Sequence, residues 1–335
     1  MSKLFTPTGY QSVLSVYDTQ KAIGTIKRTF EDHLSRALNL RRVSAPLFVE
    51  PKTGLNDDLN GVERPVEFAL AETKSNVQIV HSLAKWKRMA LYKYAFPVGE
   101  GLYTDMNAIR RDEEMDNLHS VYVDQWDWEK VIDRATRNEA TLKETVKKIV
   151  GAICDTQADI QKIYPALKGE LSREVSFITT QALEDLYPSL TPKERERAYL
   201  KEHKTAFIMQ IGGVLQSGIK HDGRAPDYDD WTLNGDIVFW SELLQCAFEV
   251  SSMGIRVDAV SLDEQLTKAG SDYRRAFEFH KRLLAGQLPL TIGGGIGQSR
   301  LCMLLLGKAH IGEVQVSVWD QETVSGCKAA GIDLL

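Results

Sequence analysis

Residues 291–306, with the sequence TIGGGIGQSRLCMLLL, combine features that could bind a phosphate group. Three consecutive glycines and a fourth, Gly297, precede a helix that we predict to begin near Gln298, because apolar residues then recur at helical spacing. Glycines let a backbone approach a ligand closely, and the free N–H groups of a helix N-terminus favour an anion. Arg300 adds a positive charge in the first turn. The segment fits neither common glycine-rich nucleotide signature, so a strand-to-helix packing turn with a surface arginine is the alternative.

Two carboxylates, Asp236 and Glu249, could form a metal site. Residues 236–242 and 246–257 are typical of the two strands of a hairpin, whose turn would set these carboxylates opposite each other. Facing carboxylates repel unless a divalent cation lies between them, and oxygen ligands suit magnesium. An offset register would instead separate the pair. Arg256 has the opposite parity, so it reaches their face only if its strand contains a bulge or ends early.

A second predicted hairpin has polar residues on one face. Its strands cover residues 101–110 and 120–129, and the charged loop between them is longer than a tight turn, as functional loops often are. Period-two alternation places Gln125 and Asp127 on one face. A buried face with such residues is costly unless their polar groups are used. The alternative is that this face is exposed and that the aromatic residues of the other face pack in the core.

The elements that must position these residues follow from hydrophobic spacing. Pro46 lies within a predicted strand at residues 40–50, which therefore belongs at an edge or an interface, because proline cannot donate to a central ladder. The predicted helices cover residues 18–38, 82–94 (capped by Ser82), 139–164, 182–187, 192–203 and 272–284. The other predicted strands cover residues 65–73, 76–80, 175–179, 205–213 and 314–319, with polar loops at 54–64 and 214–232.

Composition and charge limit the classes of protein to which the chain can belong. The chain has 335 residues and a formal net charge of −5 without a Lys/Arg-rich block, so we expect no nucleic-acid partner. No apolar run approaches the length of a membrane span, so we expect no membrane association. Four scattered cysteines without a C-x-x-C motif are typical of a reduced, cytoplasmic protein. We expect a single domain over residues 1–335, with a helical insertion at approximately 131–204.

Several stretches together resemble a known family. Residues 40–48, the segment IRRDEEMDNLHSVYVDQWDWE from Ile109, and GGGIGQSRL resemble the three motifs of class II aminoacyl-tRNA synthetases. The closer resemblance, over nearly the full chain, is to the ammonia-dependent asparagine synthetases, the aspartate–ammonia ligases of the same fold. It rests on HSLAKWKR, GEGLYT, HSVYVDQWDWE, RAPDYDDW, LNGDI, FEVSSMGIRVD and TIGGGIGQSRL, in that order. The resemblance implies an α+β catalytic domain with a mostly antiparallel central sheet flanked by helices.

The resemblance also implies a reaction in which aspartate, ATP and ammonia give asparagine, AMP and pyrophosphate. A carboxylate is a poor electrophile, and joining the β-carboxylate to AMP supplies a leaving group that ammonia displaces. By resemblance, Arg110 would bridge the α-phosphate and the reacting carboxylate, and Arg300 would hold the γ-phosphate. Asp236 and Glu249 would bind Mg²⁺ and ATP. The other nucleotide-binding candidates are Asp229, Gly297 and Asp112, the last where adenine packs in this family.

An aspartate pocket is the second implication. Lys87 and Arg256 would pair with the α-carboxylate of the substrate, and Asp127 with Ser82 would take its ammonium. Gln125 would hydrogen-bond the β-carboxylate that reacts. The last candidates are Ser252 for substrate binding and Asp57 for orienting ammonia or accepting its proton. No glutaminase pattern stands out, so free ammonia is the expected nitrogen source.

Two alternatives stay open at this point. The chain could be an aspartate-adenylating paralogue of aspartyl-tRNA synthetase, although its acidic charge fits tRNA poorly and the first helix leaves little room for an anticodon-binding barrel. It could also be a non-catalytic binding protein on the class II scaffold, since fold alone does not define function. Against the latter, a scaffold without catalysis has little reason to keep several costly polar groups facing one pocket. The first class II motif usually builds a dimer interface, so we expect a homodimer.

Overall fold

The computed structural model describes residues 4–57 and 63–335, so residues 58–62 of the predicted polar loop 54–64 lie outside it. Its helices are α1 (Val16–Leu38), α2 (Ala84–Lys93), α3 (Glu139–Ile163), α4 (Thr180–Leu186), α5 (Pro192–His203), α6 (Ala259–Lys268), α7 (Glu278–Leu284), α8 (Gln298–Leu305) and α9 (Gln321–Ala329). Its strands are β1 (Leu40–Arg42), β2 (Phe48–Val49), β3 (Glu67–Ala69), β4 (Asn76–Ile79), β5 (Gly101–Ile109), β6 (Tyr122–Ile132), β7 (Ser176–Thr179), β8 (Thr205–Met209), β9 (Asp229–Ser241), β10 (Cys246–Arg256) and β11 (Leu290–Gly297).

The central sheet has the strand order β1-β5-β6-β11-β10-β9-β8-β7. Neighbouring strands are antiparallel except at the two edges, where β1 pairs with β5 and β7 with β8 in parallel. Strands β2, β4 and β3 form a separate small sheet. The expected mostly antiparallel sheet flanked by helices is therefore confirmed. None of the helices in the described residues is both long and apolar enough to cross a bilayer.

One face of the sheet packs on α1 and α3 to form the main core. Side chains of α1 three and four residues apart, such as Phe30 and Leu34, are fully buried there. Trp126 and Trp128 of β6 face the same core, and the Phe30 and Trp126 rings lie 4.7 Å apart between centroids. Each large side chain buried in this way stabilises the fold by about 1.5–3 kcal/mol. Alternation along β6 then turns Gln125 to the opposite face, where it lines a cavity.

Three predicted elements differ from the structure. The strand expected at 40–50 is two short strands in different sheets, with Pro46 between them. The helix expected at 272–284 is a 3₁₀ turn followed by α7, because the backbone at Phe277 is extended, with φ −77° and ψ 153°. The expected strand 314–319 is not formed. Its alternating Val316 and Val318 are exposed, so the apolar pattern has no sheet to join.

Residues 131–204 are mostly helical, as expected, with β7 as the interruption. Helix α3 packs along α1, and β7 adds a strand to the central sheet. These contacts tie the segment to the main core, and the description as one domain with a helical insertion stays a prediction.

Candidate active site

A cavity of about 360 Å³ opens on the face of the sheet opposite the main core. It lies over β6, β11 and β10, between α2 and the segment that precedes β9. The structure brings twelve of the fourteen predicted site residues to its walls. They are Asp57, Ser82, Lys87, Arg110, Gln125, Asp127, Asp229, Glu249, Ser252, Arg256, Gly297 and Arg300. Asp112 and Asp236 do not line it.

The glycine run is not a turn but part of strand β11. Gly295 lines the cavity, and a Cβ atom there would lie 2.5 Å from Oε1 of Gln125. A Cβ atom at Gly293 would lie 2.8 Å from Nη2 of Arg256. The glycines therefore make room for side chains that neighbouring strands send across β11.

Helix α8 begins at Gln298, as predicted, but its N-terminus is not open to a phosphate. The Ser299 backbone N–H donates to Asp124 Oδ1 at 3.0 Å, and the Ser299 hydroxyl donates to Oδ2 at 2.8 Å. Asp124 thus occupies the anion position at this helix end. One of the N–H groups that we expected to favour a phosphate is therefore already used within the protein, and the phosphate role of Arg300 stays a prediction.

Arg300 and Arg110 are loosely held cations at the cavity wall. Arg300 Nη1 donates to the carbonyl oxygen of Glu249 at 3.1 Å, and its side chain is one-fifth exposed. Arg110 Nη2 makes a 3.4 Å bond to the carbonyl oxygen of His81, and its buried Nε has no partner among the described residues. Both guanidinium groups therefore have donors left for an anionic ligand.

At the other end of the cavity, Lys87 and Asp127 form a buried ion pair. Lys87 Nζ also donates to the carbonyl oxygen of Gly294 at 2.9 Å, while Asp127 Oδ2 is buried without a partner in the described residues. Burial lowers the pKa of Lys87 more than the nearby Asp127 carboxylate raises it. An unsatisfied buried carboxylate oxygen is costly, and an ammonium from a ligand would satisfy it.

Arg256 lies beside this pair and is enclosed by carboxylates. It contacts Asp229 at close range, and its Nε donates to Glu129 Oε2 at 3.2 Å. Burial alone would lower the pKa of Arg256, but Glu129 and Asp229 raise it further than burial lowers it. Strand β10 has register shifts after Glu249 and after Gly254, so the bulge required for Arg256 to reach this face is present.

The expected facing of Asp236 and Glu249 is wrong. Glu249 pairs with Val238 because the hairpin turn covers residues 242–245, and Asp236 pairs with Ser252 because a bulge after Glu249 shifts the register by one more residue. Asp236 instead accepts a hydrogen bond from Arg224 Nη2 at 2.6 Å, and Arg224 rather than Asp236 lines the cavity. Among residues 4–57 and 63–335, no group of three or more His, Cys, Asp or Glu side chains is placed to hold a metal.

The electrostatics still couple the two carboxylates. Burial raises the pKa of Asp236, with Arg224 opposing and Glu249 adding to the rise. For Glu249, burial raises the pKa, but Arg300 and Lys193 outweigh it, so its pKa is lowered. A cation near this pair would lower the energy of both charged forms.

Asp57 and Asp112 have different surroundings. Asp57 is buried at the cavity wall and accepts a hydrogen bond from Ser82 Oγ at 3.0 Å. The predicted cap of α2 is therefore wrong, because Ser82 binds Asp57 and Leu83 occupies the N-cap position. Asp112 forms an ion pair with Arg64 at 2.5 Å outside the cavity. The structure therefore does not support a direct nucleotide contact by Asp112.

Sequence reasoning missed two cavity residues in the RAPDYDDW segment. Arg224 contacts Ser252 and Asp236, and the Tyr228 ring lies 5.7 Å from the Arg256 guanidinium. They lie before β9, where no periodicity marks a face. The available signal was composition, because an arginine among carboxylates in a loop is often used.

Solved structures with a similar fold define the class of protein. The asparaginyl-tRNA synthetase from Pyrococcus horikoshii, complexed with asparaginyl-adenylate, matches with a TM-score of 0.65 at 14% identity, over 89% of this chain and 68% of that chain. The aspartyl-tRNA synthetase from Entamoeba histolytica matches with a TM-score of 0.60 at 16% identity, over 92% and 58%. The protein therefore has the catalytic fold of class II aminoacyl-tRNA synthetases.

Sequence comparison identifies the family within this class. A family model described as aspartate-ammonia ligase matches residues 17–331. Aspartate–ammonia ligases from Ruminiclostridium cellulolyticum and Clostridium perfringens are 60% and 59% identical over the whole of both chains. The one from Bacillus cytotoxicus is 60% identical over 97% of this chain and 99% of its own. The chain belongs to the aspartate–ammonia ligase family and is a ligase, which excludes a non-catalytic binding protein.

Proposed function

We propose that the protein makes asparagine from aspartate, ATP and free ammonia through a β-aspartyl-adenylate, releasing AMP and pyrophosphate. The observation that carries this proposal is the buried Lys87–Asp127 pair, with one unpartnered carboxylate oxygen, at one end of a cavity whose other end contains Arg110 and Arg300. A zwitterionic amino acid suits the first end, and a polyphosphate suits the second.

Aspartate binds by exchanging ion pairs with the residues of the cavity wall. Its α-carboxylate takes Lys87 and Arg256, and its ammonium takes Asp127 and the hydroxyl of Ser82. Both cations already lie at the cavity wall beside their own carboxylates, so neither needs to cross the site. Gln125 then faces the β-carboxylate. This orientation leaves the β-carboxylate, rather than the α-carboxylate, toward Arg110.

The arginines assist the adenylation step. Attack of the β-carboxylate on the α-phosphorus brings two anions together and releases pyrophosphate. Arg110 lowers that repulsion by donating to both reacting groups, and Arg300 holds the departing pyrophosphate end. The guanidinium donors that have no partner within the described residues match these roles.

Magnesium that arrives with ATP would be held by Glu249, which lines the cavity, and by Asp236, which lies behind Arg224. Glu249 adds to the cost of ionising the buried Asp236, and a divalent cation would relieve that cost. Magnesium commonly binds one or two carboxylates together with substrate phosphates, so a full protein cage is unnecessary. When bound, the ion supplies charge neutralisation for the phosphates.

Asp57 is the proposed acceptor for the proton of ammonium. Its carboxylate is buried, accepts the Ser82 hydroxyl and lines the cavity. An anion near the acyl carbon attracts ammonium and takes a proton before attack, which leaves neutral ammonia as the nucleophile.

Product analysis tests the proposal. The chain is incubated with aspartate, ATP, magnesium and ammonium chloride, without tRNA, and we expect asparagine, AMP and pyrophosphate in equal amounts. ADP and phosphate would mean acyl-phosphate chemistry and contradict the adenylate. Exchange of pyrophosphate into ATP without asparagine would instead support the aspartate-adenylating paralogue.

We also propose that the protein works as a cytoplasmic homodimer. The segment around Pro46 exposes Leu47 and Phe48, which are 51% and 38% exposed in the single chain. Apolar side chains on a short edge segment suit burial against a second copy. Light scattering should give twice the chain mass of 37.6 kDa, and a monomeric mass would contradict the dimer.

A further inference from the structure

Behind the cavity, Asp227 is the centre of a buried polar cluster. Its Oδ2 accepts hydrogen bonds from Lys85 Nζ at 3.1 Å, Arg274 Nη1 at 2.9 Å and His280 Nε2 at 2.9 Å. All four side chains are at most 4% exposed. Three donors on one carboxylate oxygen, with none taken by solvent, define one geometry for the elements that supply them.

The cluster joins two segments that form the amino-acid end of the cavity. Lys85 lies on α2, two residues before Lys87, so its bond to Asp227 fixes the rotation of the helix that presents Lys87. Asp227 immediately precedes Tyr228 and Asp229, and these two residues contact Arg256. One carboxylate therefore sets the positions of both cations proposed for the α-carboxylate of the substrate.

The other two donors come from outside the cavity wall. Arg274 belongs to the 3₁₀ turn Asp272–Ala276 and His280 to α7, which pack on the far side of the 224–229 segment. Gln265 of α6 binds the backbone of the same segment at the carbonyl oxygens of Pro226 and Asp229. The segment is thus held from behind, and its front is left to the substrate.

We propose that Asp227 is a positioning residue for aspartate binding, acting through Lys87 on one side and Arg256 on the other. An apolar replacement of such a cluster can be equally stable, so stability alone does not account for it. The inference rests on the proposed function, because it assumes that aspartate binds at this end of the cavity.

The test uses the full chain and compares affinities for the two substrates. Asp227→Asn should weaken aspartate binding by about 10-fold or more, because it turns amide hydrogens toward cationic donors and shifts both segments. ATP affinity should change by less than about 2-fold, since the arginines at the other end are untouched. Asp263→Asn is the matched control, because Asp263 pairs with Arg275 on the exposed side of the same helical region. Titration calorimetry measures the affinities of the wild type and of both variants for aspartate and for ATP.

A second pair of variants keeps the test decisive if Asp227→Asn folds poorly. His280→Gln retains a donor near the position of Nε2 and should bind aspartate like the wild type. His280→Leu removes the donor and should weaken aspartate binding by about 3–10-fold. Equal affinities for both variants, or parallel loss of ATP and aspartate binding, would overturn the positioning role.

Hydrogen exchange separates this inference from the proposed function. In Asp227→Asn, amides of residues 224–230 should exchange faster, while those of β11 should be unchanged. Unchanged exchange at 224–230 would overturn the inference. If the wild type itself binds no aspartate, the proposed function is wrong, and the exchange result alone decides whether Asp227 holds this segment.

Discussion

At the scale of single residues, the cavity wall contains two kinds of cation. One kind is paired with a buried carboxylate, and the other has hydrogen-bond donors left for a ligand. Lys87 and Arg256 are buried against carboxylates. Arg110 and Arg300 are partly exposed, donate to backbone carbonyls and lie 4.0 and 3.7 Å from carboxylate oxygens of Glu113 and Glu249. Removing one of the buried cations leaves a carboxylate buried without its partner, whereas removing one of the partly exposed cations loses a longer and more solvated contact. Substitutions at the two kinds of site should therefore differ in their effects on stability as well as on activity.

Lys87→Ala should raise the apparent KM for aspartate strongly, because it deletes a partner of the α-carboxylate. It should also destabilise the fold by about 3–5 kcal/mol, since Asp127 is left as an unpaired buried charge. Steady-state kinetics and urea unfolding measure the two effects. Lys93→Ala, at the exposed end of α2, is the control. Unchanged saturation by aspartate would show that the assignment of Lys87 is wrong.

Arg300→Ala should reduce turnover by about 10²–10³-fold, the usual scale for one preorganised charge-stabilising donor. The fold should tolerate the change because Arg300 is partly exposed and bound mainly to carbonyl oxygens. Arg282→Ala removes a surface arginine paired with Glu278 and should leave turnover unchanged. Near-normal turnover in Arg300→Ala would remove Arg300 from the phosphate site.

Asp57→Asn should separate the two chemical steps. The amide keeps the size of the side chain and an acceptor for Ser82 but cannot take a proton. We expect aspartate-dependent exchange of pyrophosphate into ATP to persist and asparagine formation to slow. If both steps fall by the same factor, Asp57 is not the proton acceptor for ammonium.

At the scale of elements, hydrophobic periodicity predicted most helices and strands but not the register in which the strands pair. The apolar spacing of α1 and the start of α8 at Gln298 follow from sequence. The partner of Asp236 does not, because the bulge after Glu249 shifts every later pair in β10. Likewise, nothing local indicates that Asp124, a strand residue, caps α8 across the structure. The residue types of the site were predictable, whereas the pairings set by tertiary contacts were not.

Gly295→Ala tests whether the glycine run serves side-chain packing. The added methyl carbon would lie 2.5 Å from Oε1 of Gln125, so Gln125 must move from its position in the proposed aspartate site. We expect a folded protein with aspartate activation reduced by about 10-fold or more, measured by pyrophosphate exchange. Gly213→Ala is the control, because a Cβ atom there meets nothing within 4 Å and its φ is not positive. Equal activities would contradict this account of β11.

At the scale of the whole molecule, the buried side chain of His310 makes the free energy of unfolding depend on pH. His310 is buried, its Nδ1 accepts the Gly312 N–H at 3.0 Å, and its ring packs on Trp319. Burial lowers the pKa of His310 from 6.5 to about 4. The unfolded chain therefore binds a proton between these values and the folded chain does not, so stability is complete above pH 6.5 and falls as pH drops toward 4.

His310→Asn should remove this pH dependence while keeping an acceptor for Gly312. Wild-type protein should lose about 1–3 kcal/mol of unfolding free energy between pH 7 and pH 4.5, and the variant should lose less. Urea midpoints at the two pH values measure the difference. His203→Asn is the control because His203 is exposed. A variant with the wild-type slope would mean that other groups govern acid unfolding.

The buried Lys87–Asp127 pair has one more consequence. Within the protein each of these groups binds the other, with an effective concentration fixed by the fold. In the proposed orientation, aspartate therefore gains only the difference between its own ion pairs and the pair that it displaces. Removing either internal partner does not relieve that competition without cost, because the remaining charge is then buried alone. If the proposed orientation holds, affinity for aspartate and stability of the pocket are set by the same two side chains, and neither can be tuned separately from the other.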